Sequence, residues 1–296
     1  MTDPTQVWFD SSGTRCSGWF FPVEGTTPEP VIVMAHGLGG TVDAGLVPFA
    51  RRFAENGYPV FAFDYRGFGE SEGSPRQKVS LSGQVDDYRA ACRAAAELPG
   101  VDPSRIVLWG VSLAGGHVLQ AAVGRDDVGA VLAVVPMVSG MAAARHALPL
   151  HSPGTLARST ATGVISSVRQ RFGGEPSTIP LVGPPGSLAA LTVDGYQEAY
   201  EAIAGPSWRN EVDASIGSEL GRYRAHKSAS SVRAPLLVQI ADFDKAAPPH
   251  AAAKAAFAGK AQVRHYPCDH FDVFAGRDWF EATITHQLDF LAATFH

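Results

Sequence analysis

The chain has 296 residues, 45% of them hydrophobic and 18% charged, which is enough apolar matter for a sizeable core and too much for intrinsic disorder. Its 24 basic against 29 acidic side chains leave a net charge of −5 without long runs of like charge, so the footprint of a nucleic-acid binder is absent. Met1-Thr2-Asp3-Pro4-Thr5-Gln6 carries neither a basic stretch nor an apolar signal core, and no uncharged apolar run of about eighteen residues follows. A soluble, cytoplasmic protein is expected. Three widely separated cysteines, Cys16, Cys92 and Cys268, show no Cys-x-x-Cys spacing, and no His-Glu-x-x-His occurs, which argues against a disulfide framework and a structural zinc.

In chain order, Val7-Trp8-Phe9 and Gly18-Trp19-Phe20-Phe21 flank Ser11-Ser12-Gly13-Thr14, whose small residues suit a tight reversal and predict an antiparallel hairpin. Val31-Ile32-Val33-Met34-Ala35 is a continuous apolar run, as in strands buried on both faces. It ends in His36-Gly37-Leu38-Gly39-Gly40. A helical stretch to about Asn56-Gly57 leads to a second such strand, Val60 to Asp64. Leu81, Val85, Tyr88, Cys92 and Ala95 recur at steps of three and four, so a helix with one apolar face is predicted, stopped by Pro99-Gly100. Further interior strands are expected at Arg105 to Trp109, Ala130 to Val135, Pro235 to Ile240 and Gln262 to Tyr266.

Apolar strands alternating with helices imply parallel pairing through right-handed crossovers, an α/β fold with helices on both faces of a mostly parallel sheet. Between about residues 138 and 232 that rhythm stops. Breakers crowd the stretch from Phe172-Gly173-Gly174 to Pro184-Pro185-Gly186, flanked by helical spacings at Val164, Val168, Phe172 and at Val212, Ile216, Leu220. The expected division is therefore a core of residues 1–137 and 233–296, interrupted by an inserted helical lid at 138–232. Such a lid would sit over the carboxyl ends of the strands, where open α/β sheets bind ligands.

Gly110-Val111-Ser112-Leu113-Ala114-Gly115-Gly116 follows an interior strand and opens a helix. A strand turning sharply into a helix puts its middle residue, Ser112, on an exposed and strained elbow. A serine hydroxyl becomes a nucleophile only beside a base that a carboxylate orients. The last predicted strand ends in Tyr266-Pro267-Cys268-Asp269-His270, and the one before it in Ala241-Asp242-Phe243-Asp244, so both partners are available at the same sheet edge. Alone, Ser112 would read as a helix cap; strand, helix, carboxylate and histidine in the order Ser, Asp, His point to catalysis.

With these residues the chain resembles the α/β-hydrolase superfamily, in a dienelactone-hydrolase-like or acyl-peptidase-like branch, across the strands but not across the lid. The resemblance implies Ser112 as nucleophile, His270 as general base and acid, and Asp244 as orienting carboxylate, with Asp242 as the fallback. It implies an oxyanion hole from the backbone N–H groups of Leu38 and Leu113. Asp64-x-Arg66-Gly67-x-Gly69-x-Ser71 also resembles the family, at a turn that serves structure. One departure is the elbow itself, which reads Gly-x-Ser-x-Ala through Ala114. His36 is expected to hold the oxyanion loop by hydrogen bonds rather than to act in catalysis, and Cys268 to be a small apolar filler. Trp208, Tyr196, Tyr200 and Tyr223 in the lid either line a pocket or join lid to core.

The implied activity is hydrolysis of carboxylic esters through an acyl-enzyme, with lactones, thioesters and aminoacyl amides or peptides as alternatives and a non-catalytic binding module as a different class. No cofactor and no metal are expected. The expected partner is a small-molecule ester substrate, with no nucleic acid, no membrane and a homodimer left open.

Overall fold

The computed structural model describes residues 3–25, 27–148 and 153–295. Met1 and Thr2 of the amino-terminal hexapeptide, and 149–152 of the expected lid, lie outside the described residues. The hairpin forms as expected: β1 (Thr5–Ser11) pairs antiparallel with β2 (Thr14–Phe21), and Ser11 faces Thr14 across a Ser12-Gly13 turn. The continuous apolar runs become β3 (Glu29–Ala35), fully buried from Pro30 on, and, after α1 (Val47–Glu55), β4 (Val60–Phe63).

Helix α2 (Leu81–Ala95) begins where the Ser80 hydroxyl accepts the Gly83 N–H at 3.3 Å. It buries Leu81, Val85, Tyr88, Cys92 and Ala95, the stripe its spacing predicts. Strand β5 (Val101–Val111) starts earlier than the expected Arg105. Pro103 falls at a register shift opposite Pro30 and Val31, and proline is tolerated at a bulge. Then come α3 (Leu113–Ala121) and β6 (Val128–Val134).

Residues 140 to 221 hold α4 (Gly140–Ala147), α5 (Pro153–Arg171), β7 (Thr178–Ile179), α6 (Tyr196–Glu201), β8 (Val212–Asp213) and α7 (Ile216–Gly221). Beside these helices, β7 and β8 form a small antiparallel sheet apart from the main one, so Val212, read from sequence with a helical spacing, lies in a strand. The apolar spacing in and beyond α5 also fails as a packing guide. Val164 is 58% exposed, Val168 49% and Phe172 84%. The helix packs instead through Gly163, whose missing side chain makes room for the Ala214 carbonyl, and through the buried Ser166.

The core resumes with β9 (Leu236–Ala241), α8 (Pro249–Ala258), β10 (Gln262–Tyr266) and α9 (Phe280–Phe295). The eight strands run β1-β2-β4-β3-β5-β6-β9-β10, parallel from β4 to β10, with helices flanking the sheet. Its centre is Trp109 on β5, fully buried, whose ring lies 5.1 Å from Phe49 of α1. The Trp109 indole N–H donates to Gln287 of α9 at 2.9 Å, and its carbonyl accepts from the Tyr88 hydroxyl of α2 at 2.6 Å. Polar groups therefore fix the angle at which helices meet this core. The turns after β3, β5, β9 and β10 all open at one edge of the sheet.

Candidate active site

The turn between β5 and α3 places Ser112 at φ 59° and ψ −120°, a backbone conformation rare outside glycine and worth about 1–3 kcal/mol of strain. Its N–H donates to the Val134 carbonyl at 2.9 Å and its own carbonyl accepts the Met137 N–H at 2.9 Å, so the end of β6 holds the elbow on both sides. Close approach decides the neighbouring residues. A Cβ on Gly110 would stand 2.3 Å from the Ala114 carbonyl oxygen, whereas Ala114 itself is fully buried without difficulty. The crowded position is the first of the motif, which is why alanine is accepted at the last.

The loop after β3 approaches the elbow just as closely: a Cβ on Gly37 would lie 2.7 Å from the Ser112 Cβ and 3.1 Å from its Oγ. Leu38 follows on this loop, and Leu113 opens α3, where the first N–H groups of a helix have no partner within it. His36, expected to hold the loop by hydrogen bonds, has a contact with the Ala44 backbone farther along the same loop. It is 4% exposed and sits beside Phe274 and Tyr200, with ring centroids 5.8 Å and 5.9 Å away. Neither ring nitrogen meets a partner of good geometry among the described residues. Burial pulls its pKa down to about 4, so the ring is neutral and acts as packing.

His270 and Asp244 meet at the far side of the cavity. The Nδ1 of His270 lies 2.6 Å from Asp244 Oδ2, and the two residues are 4% and 2% exposed. Asp244 Oδ1 accepts the N–H groups of Ala246 at 2.8 Å and Ala247 at 2.6 Å, so the carboxylate is held by its own turn. Asp242 is elsewhere, paired with His265 Nδ1 at 2.7 Å, with both side chains at least 40% exposed. Burial alone would lower the pKa of His270, but the Asp244 charge, the hydrogen bond to it and the Asp269 charge outweigh burial and raise it.

Ser112, Leu38, Leu113 and His270 line one cavity of about 250 Å³, and Asp244 stands behind the imidazole. Among the described residues no hydrogen bond joins the Ser112 hydroxyl to the His270 ring. The rest of the wall is largely apolar, with Ala143, Ala147, Leu191, Val193 and Leu220 from the inserted segment facing Met137 and Phe274. Cys268 is 4% exposed and burial, with nearby carboxylates led by Asp272, raises its thiol to about 12, which keeps it unreactive. No group of three His, Cys, Asp or Glu among the described residues could hold a metal ion.

Residues that the sequence left without a role complete the surroundings. The Tyr196 hydroxyl donates to Asp269 Oδ1 at 2.6 Å, and Tyr200 donates to the Leu38 carbonyl at 2.9 Å. Asp269 also accepts the His270 N–H at 2.8 Å and pairs with Lys245 Nζ at 2.6 Å. The signal for the tyrosines was their spacing of four residues, one face of a helical turn. Asp64 of the Asp-x-Arg-Gly turn is structural: its buried carboxylate accepts Val42 N–H at 2.8 Å and Glu70 N–H at 3.1 Å.

A mostly parallel eight-stranded sheet with helices on its flanks, carrying a serine on a strand-to-helix elbow, defines an α/β hydrolase. The chain belongs to the serine aminopeptidase S33 family, whose pattern matches residues 26–270. It is 33% identical over 291 residues to the quorum-quenching protein AidA of Acinetobacter baumannii, covering 97% of this chain and 94% of that protein. A shorter likeness, 39% identical over 114 residues, covers 38% of this chain and 36% of the thiohydrolase aneE of Aspergillus aculeatus. The crystal structure of the α/β hydrolase GrgF from a Penicillium species superposes with a TM-score of 0.82 at 23% identity, covering 99% of both chains. Among the described residues, no helix is long and apolar enough to cross a membrane.

Proposed function

We propose that the protein is a serine hydrolase that cleaves carboxylic esters through an acyl-enzyme. Ser112 Oγ attacks the ester carbonyl while the other ring nitrogen of His270 takes its proton. The negative oxygen that forms is held by the N–H groups of Leu38 and Leu113, each worth roughly 3–4 kcal/mol in a dry site. The protonated ring then gives its proton to the departing alkoxide, and water repeats the sequence on the acyl-serine to release the acid. The hydroxyl–imidazole hydrogen bond would form when substrate arrives, as catalytic contacts that are long in the free enzyme do. Every step is carried by side chains and backbone donors.

The observation that carries this reading is the buried 2.6 Å His270–Asp244 pair facing the same cavity as a strained serine elbow. The apolar wall supports an ester with a hydrocarbon group, and residues 138–232 would act as the cap that selects it. A second reading, thioester cleavage by the same residues, is favoured by the likeness to a thiohydrolase. The near full-length likeness to a quorum-quenching protein supports a quorum-quenching role as its setting.

Hydrolysis of a short-chain chromogenic ester tests the proposal. Ser112→Ala should lower kcat by roughly 10⁴–10⁶-fold with the fold kept. A folded Ser112→Ala protein of full activity, or a wild type that a fluorophosphonate leaves unlabelled at Ser112, would refute it.

A further inference from the structure

Helix α6 is a turn and a half long, belongs to the inserted segment and shares no strand or helix with the core. Yet it reaches three of the four turns that carry the reacting groups, all but the Ser112 elbow. Tyr200 is 3% exposed and donates to the carbonyl of Leu38, whose N–H is the proposed oxyanion donor. Tyr196, also 3% exposed, donates to Asp269, the residue before His270. The Lys245 N–H, next to Asp244, lies 3.1 Å from the same Tyr196 oxygen and 3.2 Å from Asp269 Oδ1. The Tyr196 ring also stacks along the His270 imidazole, with centroids 6.4 Å apart.

We propose that Tyr196 and Tyr200 are positioning residues: together they clamp the oxyanion loop, the acid loop and the histidine loop, so the inserted segment assembles the catalytic geometry besides selecting substrate. This rests on the serine-hydrolase reading above. A one-residue link separates each gripped atom from a reacting group, so slack in the clamp becomes misplacement of the chemistry. The two hydroxyls remain donors throughout the working pH range. Burial first, joined at Tyr196 by the Asp244 and Asp269 charges, holds both phenols far above the ordinary tyrosine value. Asp269 remains an anion because Lys245, Tyr196 and backbone donors outweigh the effect of burial and lower its pKa. An aromatic residue that served only as apolar glue would gain nothing from either hydroxyl.

Tyr196→Phe and Tyr200→Phe keep the rings and remove only the grip. Each should lower kcat about 10- to 100-fold, with KM within about twofold across esters of different chain length, as expected when a misplaced group is felt in the transition state. The rate at which a small fluorophosphonate labels Ser112, expressed per folded molecule, should fall by the same factor. Phe172→Ser, at the exposed outer end of the insertion, should leave kcat unchanged. Asp269→Asn should reproduce the Tyr196→Phe loss, and the double variant should lose no more than Asp269→Asn alone. Wild-type kcat and labelling rates in both phenylalanine variants would overturn the clamp, as would losses confined to KM or fully additive losses in the double variant. Wild-type protein that is itself unlabelled would instead count against the serine-hydrolase reading.

Discussion

Gly37 is where the oxyanion loop and the nucleophile nearly touch, and the absence of a side chain sets that distance. A methyl group there would come 2.7 Å from the Ser112 Cβ, a contact that neither partner can relieve by a side-chain rotation. The loop must retreat, and with it the Leu38 donor. Gly37→Ala should therefore lower kcat/KM by about 10²-fold, read by steady-state kinetics, while the melting temperature changes little. A variant of wild-type rate would show that the loop has slack. His270 carries a second expectation at this scale. Its pKa is raised above the ordinary histidine value because the Asp244 and Asp269 charges outweigh burial. Since the neutral ring is the base, activity should climb with pH through a midpoint above roughly 6.5, the unperturbed value, and a midpoint at or below it would contradict the pair. The linked stability has the opposite slope: the raised pKa stabilises the fold fully below the unfolded-state value, and that contribution is lost as pH rises through the shifted one.

Among the elements, the inserted segment is held by a polar knot rather than an apolar stripe. Asp213 on β8, 1% exposed, accepts Ser166 and Gln170 from α5 at 2.9 Å each. It also accepts the Ser215 N–H at 2.9 Å and the Ser215 hydroxyl at 3.0 Å. Removing the carboxylate takes an acceptor from four donors; Gln170 keeps Ser166 Oγ at 3.2 Å and Ser166 the Ser177 carbonyl at 3.5 Å, while the Ser215 N–H and hydroxyl lose theirs, at a cost of the order of 1 kcal/mol or more each. Asp213→Ala should thus cost about 2–4 kcal/mol in urea unfolding, and a loss below about 1 kcal/mol would show that α5 is anchored by other contacts. The same knot explains why α5 was hard to place from sequence. Val164, Val168 and Phe172 advertised a packing face, while the residues that make contact are a glycine and a serine, which carry no periodic apolar signal.

Across the whole molecule, legibility followed the kind of energy holding each part. Parallel strands buried on both faces are written as near-continuous apolar runs, so β3, β4, β6 and β9 could be read directly. The start of β5 could not, because its Pro103 sits in a bulge of β5 itself, where Asp102 and Ile106 face the consecutive Pro30 and Val31 of β3. Ser112 was legible through its strand-to-helix context, and His270 and Asp244 through chain order. Asp242 and Asp244 share strand parity, and only the turn that points backbone donors at Asp244 separates them. Tyr196 and Tyr200 were noted only as pocket-lining or lid-joining residues and Asp269 was given no role, because their partners lie in loops remote along the chain and no local pattern records such a contact.

Strand β6 pairs with β5 on one side and with β9 on the other, and β9 follows it only after the entire insertion. A ribosome adding about 5–20 residues per second needs roughly 5–20 s to cover that stretch. Throughout that interval Val131 to Val134 present a bare, wholly apolar strand edge to the cell, a template for wrong pairing. The nascent chain therefore keeps one side of β6 without its final partner until β9 has been translated.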